Sequence, residues 1–256
     1  MQPDRVEYAC LRDAPVLVTG GASGIGASLV AGFAQQGART AFIDIDGAAG
    51  TALVHSLRDA PHVPHFIQAD LSRVSQAQAA VRQAAEMLGG LKVLVNNAAR
   101  DDRHDPATIT EAEWDASQSV NLKPLMFVTQ AAVPYLEKAH GAAVVNFSSI
   151  AYLLNMGDLP AYGAAKAGII GLTKTLAGRF GPAGIRVNAV LPGMIVTERQ
   201  KKLWLTDDGV ATFVAGRQCL KRPLEAIDMV GPCLFLASSQ SAAMTAQSMI
   251  VDGGVF

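Results

Sequence analysis

Short, almost continuously apolar runs recur along this chain, and a helical stretch follows nearly every one. The runs predicted as strands cover residues 16–18, 40–44, 65–70, 91–96, 143–148, 185–191 and 248–252. Strands that do not alternate apolar with polar residues are buried on both faces, as in parallel sheets. After the first run, Ile25, Leu29, Val30 and Phe33 recur at helical spacing. Further helical stretches run through Met87, flank Pro124 (which starts or kinks the second of that pair) and cover residues 160–180. Alternation of this kind demands a parallel sheet with helices on both faces. The expected fold is one doubly wound α/β domain over residues 1–256, with no linker or internal repeat. Residues 197–220 read as a mobile helical excursion, a lid.

Composition removes several function classes. Half of the residues are hydrophobic, so a large core forms without disulfides. A net charge of −1 argues against a nucleic-acid partner, which needs a basic stripe. Cys10, Cys219 and Cys233 are odd in number and widely spaced, which fits neither a disulfide framework nor a zinc site; no metal is expected. A reducing, cytoplasmic location is the simple reading. The N-terminus shows no signal-peptide pattern, and no apolar stretch is long enough to span a bilayer, so no membrane partner is expected.

Between the first strand and first helix lies Thr19-Gly20-Gly21-Ala22-Ser23-Gly24-Ile25-Gly26. Glycine lets a backbone turn sharply and approach a pyrophosphate, and a helix N-terminus offers unpaired N–H groups. Gly20, Ser23, Gly24, Ile25 and Gly26 are therefore cofactor-binding candidates. Asp44 ends the second strand, at the distance where an acid meets the adenosine ribose. A carboxylate there accepts from ribose hydroxyls and repels a 2′-phosphate, and Asp46 adds to that field. No Arg or Lys occupies residues 21–23 to hold such a phosphate, and Arg39 precedes the strand. NAD is thus favoured over NADP.

Tyr162 and Lys166 stand one helical turn apart, on one face. An unperturbed phenol is a poor base at neutral pH, and a nearby ammonium lowers its pKa. With the glycine loop, with Asn96-Asn97-Ala98-Ala99 after the fourth strand, with Ser149 thirteen residues before Tyr162 and with Pro192-Gly193 after the sixth strand, the chain resembles the short-chain dehydrogenase/reductase family over nearly its whole length. The loop matches that family's T-G-x-x-x-G-x-G.

The resemblance implies a Rossmann-type fold and an NAD-dependent oxidoreductase acting on CH–OH. It implies Ser149, Tyr162, Lys166 and Asn121 as catalytic residues. Tyr162 would be the base, Ser149 would orient the substrate oxygen, and Asn121 would hold a water that links the lysine to solvent. Ser148 competes with Ser149 for the serine role; its bland alternative is a strand-end residue bonding backbone. Asn121 can also be read as a polar residue at a helix irregularity. By the same resemblance Asp70 and Leu71 flank the adenine, Asn97 and Ala98 run beside the ribose, and Tyr162 and Lys166 hold the nicotinamide ribose. Pro192, Gly193, Ile195 and Thr197 match P-G-x-x-x-T, which holds the nicotinamide amide. Asp70 can also be a turn or cap residue, and Thr197 a helix N-cap.

Asp101-Asp102-Arg103-His104 follows the fourth strand, and the lid carries Arg199, Gln200 and Trp204. These stretches resemble the aldose-oxidising branch of the family, particularly bacterial D-xylose 1-dehydrogenases that make the lactone. Asp102, Arg103 and Gln200 would then bond ring hydroxyls, Trp204 would cover an apolar sugar face, and Tyr152 would line the pocket. The alternative is a solvated salt-bridge cluster or an oligomer contact. Ala99 and Arg100 depart from the family pattern, as do residues 151–155, which leaves xylose, another pentose or a hexose open. Thr245-Ala246-Gln247 replaces the common T-G-Q, with no chemical effect expected. The resemblance further implies a homotetramer or dimer, helped by the apolar residues 251–256. Competing functions are a dehydrogenase of another secondary alcohol, a 3-oxoacyl reductase, and a non-catalytic NAD(H)-binding regulator; the complete set of catalytic residues speaks against the last.

Overall fold

All seven apolar runs pair in a single sheet. The structure, a computed structural model, describes residues 6–256. In chain order the elements are β1 (Pro15–Thr19), α1 (Gly24–Gln35), β2 (Arg39–Asp44), α2 (Gly47–Ser56), β3 (His65–Gln68), α3 (Val74–Leu88) and β4 (Val93–Asn96). Then come α4 (Glu111–Asn121), α5 (Lys123–Leu136), β5 (Ala143–Phe147), α6 (Pro160–Phe180) and β6 (Arg186–Pro192). The chain closes with β7 (Ile195–Val196), α7 (Glu198–Leu203), α8 (Asp207–Arg217), β8 (Leu224–Glu225), α9 (Val230–Ala237) and β9 (Ser248–Val251).

The main sheet has the order β3-β2-β1-β4-β5-β6-β9, and all its pairings are parallel. The chain builds outward from β1 to β3, returns to β4 beside β1, and then builds the other way. That reversal opens a crevice beyond the carboxyl ends of β1 and β4, where doubly wound folds bind ligands. The period-2 pleat divides the core. Leu17, Ile43, Leu94, Val144 and Val187 pack against α3, α5 and α6. Val18, Phe42, Val95, Val145 and Val190 pack against α1 and α9.

Several details depart from the sequence reading. β3 and β4 are each two residues shorter than predicted, although Ala69 and Lys92 still bond to the neighbouring strands. Pro124 starts α5 at its first turn, where its missing N–H costs nothing. Residues 197–220 hold two helices, α7 and α8, around a small apolar cluster of Leu205, Val210 and Val214. A two-stranded parallel sheet, β7 with β8, was not foreseen. Ala246 has φ +60°, the left-handed region in which an L side chain is strained. The family's glycine therefore has a conformational reason there, although the substitution changes no reacting group. Among the described residues, no helix is long and apolar enough to cross a membrane.

Candidate active site

The crevice floor is a row of polar residues in register: Thr19 faces Asn96 on β4, and Asn96 faces Asn146 on β5. Asn96 Nδ2 donates to Asn146 Oδ1 at 2.9 Å and to Thr129 Oγ1 at 3.1 Å, and Asn146 Nδ2 donates to Thr173 Oγ1 at 2.9 Å. This ladder ties β4 and β5 to α5 and α6 beneath the site.

The glycine loop is built for close approach. A Cβ on Gly26 would stand 1.8 Å from the Gly20 carbonyl oxygen, and one on Gly20 would stand 2.6 Å from Ala98 Cα. Asn97 Nδ2 donates to the carbonyls of Thr19 and Gly20 at 3.1 and 3.0 Å, while the N–H groups of Asn97 and Ala98 donate to Thr19 Oγ1. Ser23 makes no side-chain cap, which leaves the first N–H groups of α1 open to an anion. Asp44 accepts from the Ala22 N–H at 2.9 Å and from the Asp46 N–H at 3.1 Å, so it also ties β2 to the loop. Thr197 lies across the loop: a Cβ on Gly24 would come within 3.5 Å of Thr197 Cγ2. Pro192 ends β6, Ile195 is buried in β7, and Gly193 packs so closely on Asp252 that its Cβ would be 2.7 Å from the Asp252 Cα. Asp70 takes the turn role, accepting from the Ser72 N–H and hydroxyl; those bonds hold its carboxyl below the usual range. Leu71 is packed in the core.

The reacting groups sit on α6 and at the end of β5. Pro160 opens α6 at a position that needs no N–H. Ala161, Ala165, Ile169 and Thr173 form its buried stripe. Tyr162 and Lys166 lie one residue around from that stripe, toward the β5 terminus. Lys166 is fully buried; its Nζ donates to the Phe147 carbonyl at 2.9 Å and lies 5.3 Å from the Tyr162 ring centroid. Burial lowers its pKa to about 8, and Asp101 opposes that shift. Burial pushes the Tyr162 phenol up, against a hydrogen bond with Ser149, and the charge of Asp101 pushes the same way as burial. The expected depression of the phenol by Lys166 is not found: burial dominates, and the one group that lowers the phenol is Ser149.

Ser149 caps the short turn of residues 150–152, accepting from the Ala151 N–H at 3.1 Å, and that turn carries the half-buried Tyr152. Ser148 takes its bland alternative: its hydroxyl donates to the Lys166 carbonyl at 2.7 Å. Asn121 occupies the break between α4 and α5. Its Oδ1 accepts from the Arg100 N–H at 2.8 Å, and its Nδ2 donates to the Arg100 carbonyl at 2.9 Å and to Ser117. Asn121 thereby anchors the start of the 100–104 loop.

That loop meets the lid. Asp102 is engaged on both oxygens, by Arg100 Nε at 2.7 Å and by Arg199 of α7 at 3.2 Å. For Asp102, the salt-bridge reading therefore describes the arrangement. Gln200 Nε2 donates to Asp101 Oδ2 at 3.3 Å. Asp101, which the sequence reading named in the 101–104 stretch without giving it a role of its own, is the loop acid whose charge acts on both Tyr162 and Lys166. Arg103 pairs with Asp158 and lies 3.9 Å from the Trp204 ring centroid. Asp158 was missed, since nothing in the sequence links it to a residue 55 positions earlier. At the far end of the lid, the N–H groups of Cys219 and Leu220 donate to the carbonyls of Gly254 and Gly253.

The family model described as enoyl-(acyl carrier protein) reductase matches residues 20–256. A probable galactose dehydrogenase of Rhizobium meliloti is 59% identical over 98% of this chain and 98% of its own length. A D-xylose 1-dehydrogenase of Caulobacter vibrioides is 42% identical over 96% of this chain and 97% of its own. Among solved structures, a short-chain dehydrogenase from Burkholderia cenocepacia in complex with NADP superposes with a TM-score of 0.89 at 29% identity, covering 96% of this chain and 99% of that one.

Proposed function

Because the chain belongs to the short-chain dehydrogenase/reductase family and is an oxidoreductase acting on CH–OH, we propose that it oxidises a pyranose aldose at C1 to the lactone, with NAD as acceptor. The observation that carries this reading is the polar cluster in which residues 101–103 meet Arg199, Gln200 and Trp204, with Asp101 near enough to Tyr162 and Lys166 for its charge to act on both. A site dense in hydrogen-bonding groups suits a polyhydroxylated ring better than an acyl chain. The galactose and D-xylose dehydrogenases among the relatives support the same substrate class.

The residues present fit a dinucleotide. The cradle of Gly20 and Gly26 leaves no room for side chains, the start of α1 is uncapped, and Asp44 stands at the end of β2. Asp44 supports NAD over NADP, since its carboxylate would face a 2′-phosphate with no cation in residues 21–23 to offset it. A dinucleotide held by the glycine loop and Asp44 would supply the acceptor for the C1 hydride. Tyr162 takes the C1 hydroxyl proton, and Ser149 bonds the same oxygen. Lys166 must stay protonated to favour the phenolate, and Asp101 favours that charge. Asn121 holds the loop beside them. The lid of residues 197–220 excludes water over the reacting centre, and the same reading takes the protein as a cytoplasmic homotetramer or dimer.

The test is an NADH assay with D-galactose, D-xylose, L-arabinose, L-fucose and L-rhamnose, run with NAD and with NADP. One or more sugars should be oxidised, with the higher kcat/KM on NAD. Preference for NADP would remove the ribose role of Asp44. A protein that ignores every sugar and turns over a ketone or acyl substrate would overturn the aldose reading.

A further inference from the structure

Arg103 joins the fixed wall of the pocket to its lid. Its guanidinium pairs with Asp158, in the segment that leads into α6, and lies against the ring of Trp204 just beyond α7. The Asp158 carbonyl also accepts from the His104 N–H at 3.0 Å, so one acidic residue fixes two neighbours on the 100–104 loop. Three polar atoms of this cluster are closed off from solvent and have no partner: Arg103 Nε, His104 Nδ1 and Trp204 Nε1. Buried polar groups are almost always paired, and three such atoms on touching or adjacent residues form a place where a polar ligand group can bond. Arg103 Nε and Trp204 Nε1 only donate. His104, in the tautomer with its proton on Nε2, offers Nδ1 as an acceptor. A hydroxyl group, with lone pairs and one proton, can answer both kinds; a carbonyl or an alkyl chain cannot.

We propose that Arg103 and Trp204 read a sugar hydroxyl remote from C1, and that Asp158 is the positioning residue that holds Arg103 for this task. The inference rests on the aldose reading and adds to it the part of the substrate that decides between epimers. Asp102 is not part of this cluster; its two oxygens accept from Arg100 and Arg199.

The test uses whichever of D-galactose and D-xylose is the better substrate, with its 2-, 3- and 4-deoxy analogues. The wild type should lose at least about tenfold in kcat/KM on the 3- or the 4-deoxy sugar, because that analogue leaves buried groups unpaired. In Trp204→Phe, which keeps the ring and removes the N–H, and in Asp158→Asn, the penalty for that analogue should shrink to about threefold or less. The parent sugar should lose mainly in KM. Asp158→Glu should restore part of the discrimination. Thermal melts and NADH binding of each variant report whether the fold is intact. Variants that weaken all sugars in proportion, or leave the deoxy penalty unchanged, would overturn the inference while the aldose reading stands. Failure of the wild type to oxidise any sugar would overturn both.

Discussion

At the scale of single residues, the candidate reacting groups gather where β5 ends and α6 begins, and the side chains around them come from distant stretches of chain. Tyr162 and Lys166 were legible from their one-turn spacing, and Ser149 and Asn121 from the resemblance to the family pattern. Asp101 and Asp158 were not, because their importance comes from contacts across 55 to 99 residues of chain. Ala246 was read as chemically neutral, and the structure makes it a strained position at φ +60°. An L residue in that region costs about 1–2 kcal/mol. Glycine there removes the strain and returns part of it as unfolded-state entropy. Ala246→Gly should therefore raise the unfolding free energy by about 0.5–1 kcal/mol, read from denaturant midpoints; a lower midpoint would contradict the strain.

Lys166 gives a second residue-scale expectation. Its pKa is about 8 in the fold against an ordinary 10.5. Between those values the unfolded chain binds more protons, so this group's contribution makes stability rise with pH. Tyr162, whose phenol is raised from 10.0, opposes the trend only above pH 10. Lys166→Met should accordingly be more stable than the wild type near pH 7, and the difference should narrow from pH 8 to 10. A gap that stays constant across that window would mean that the ammonium is not desolvated in the native state.

Elements were read well where their period is long and less well where they are short. The strand–helix alternation located all seven strands of the main sheet, while β3 and β4 are two residues shorter than read. The β7–β8 pair escaped notice because two residues carry no periodicity. The loop between β1 and α1 was the most legible element, since its glycines answer to geometry. Gly26→Ala would place a methyl where the Gly20 carbonyl stands. The loop would have to open, and affinity for NADH should fall by at least about tenfold in a fluorescence titration, consistent with the loss of two or more backbone bonds to a charged group. Unchanged affinity would show that the cradle is not where the pyrophosphate binds.

At the scale of the whole molecule, chain reversal between β1 and β4 brings the glycine loop, the end of β5, the start of α6 and the lid to one edge of the sheet. The order of strands was legible as a class, and the crevice followed from it. What the sequence could not supply was the joining of the 100–104 loop to the lid, which depends on Asp101, Asp102 and Arg103 meeting Gln200, Arg199 and Trp204 from distant segments. The central claim is that this edge removes the hydrogen at C1 of an aldose. The direct measurement uses D-galactose or D-xylose deuterated at C1, with NADH and lactone analysed by mass spectrometry. The account predicts deuterium in the NADH, none in the lactone, and slower turnover if hydride transfer limits the rate. Label retained in the sugar product, or a ketone formed at another carbon, would contradict it.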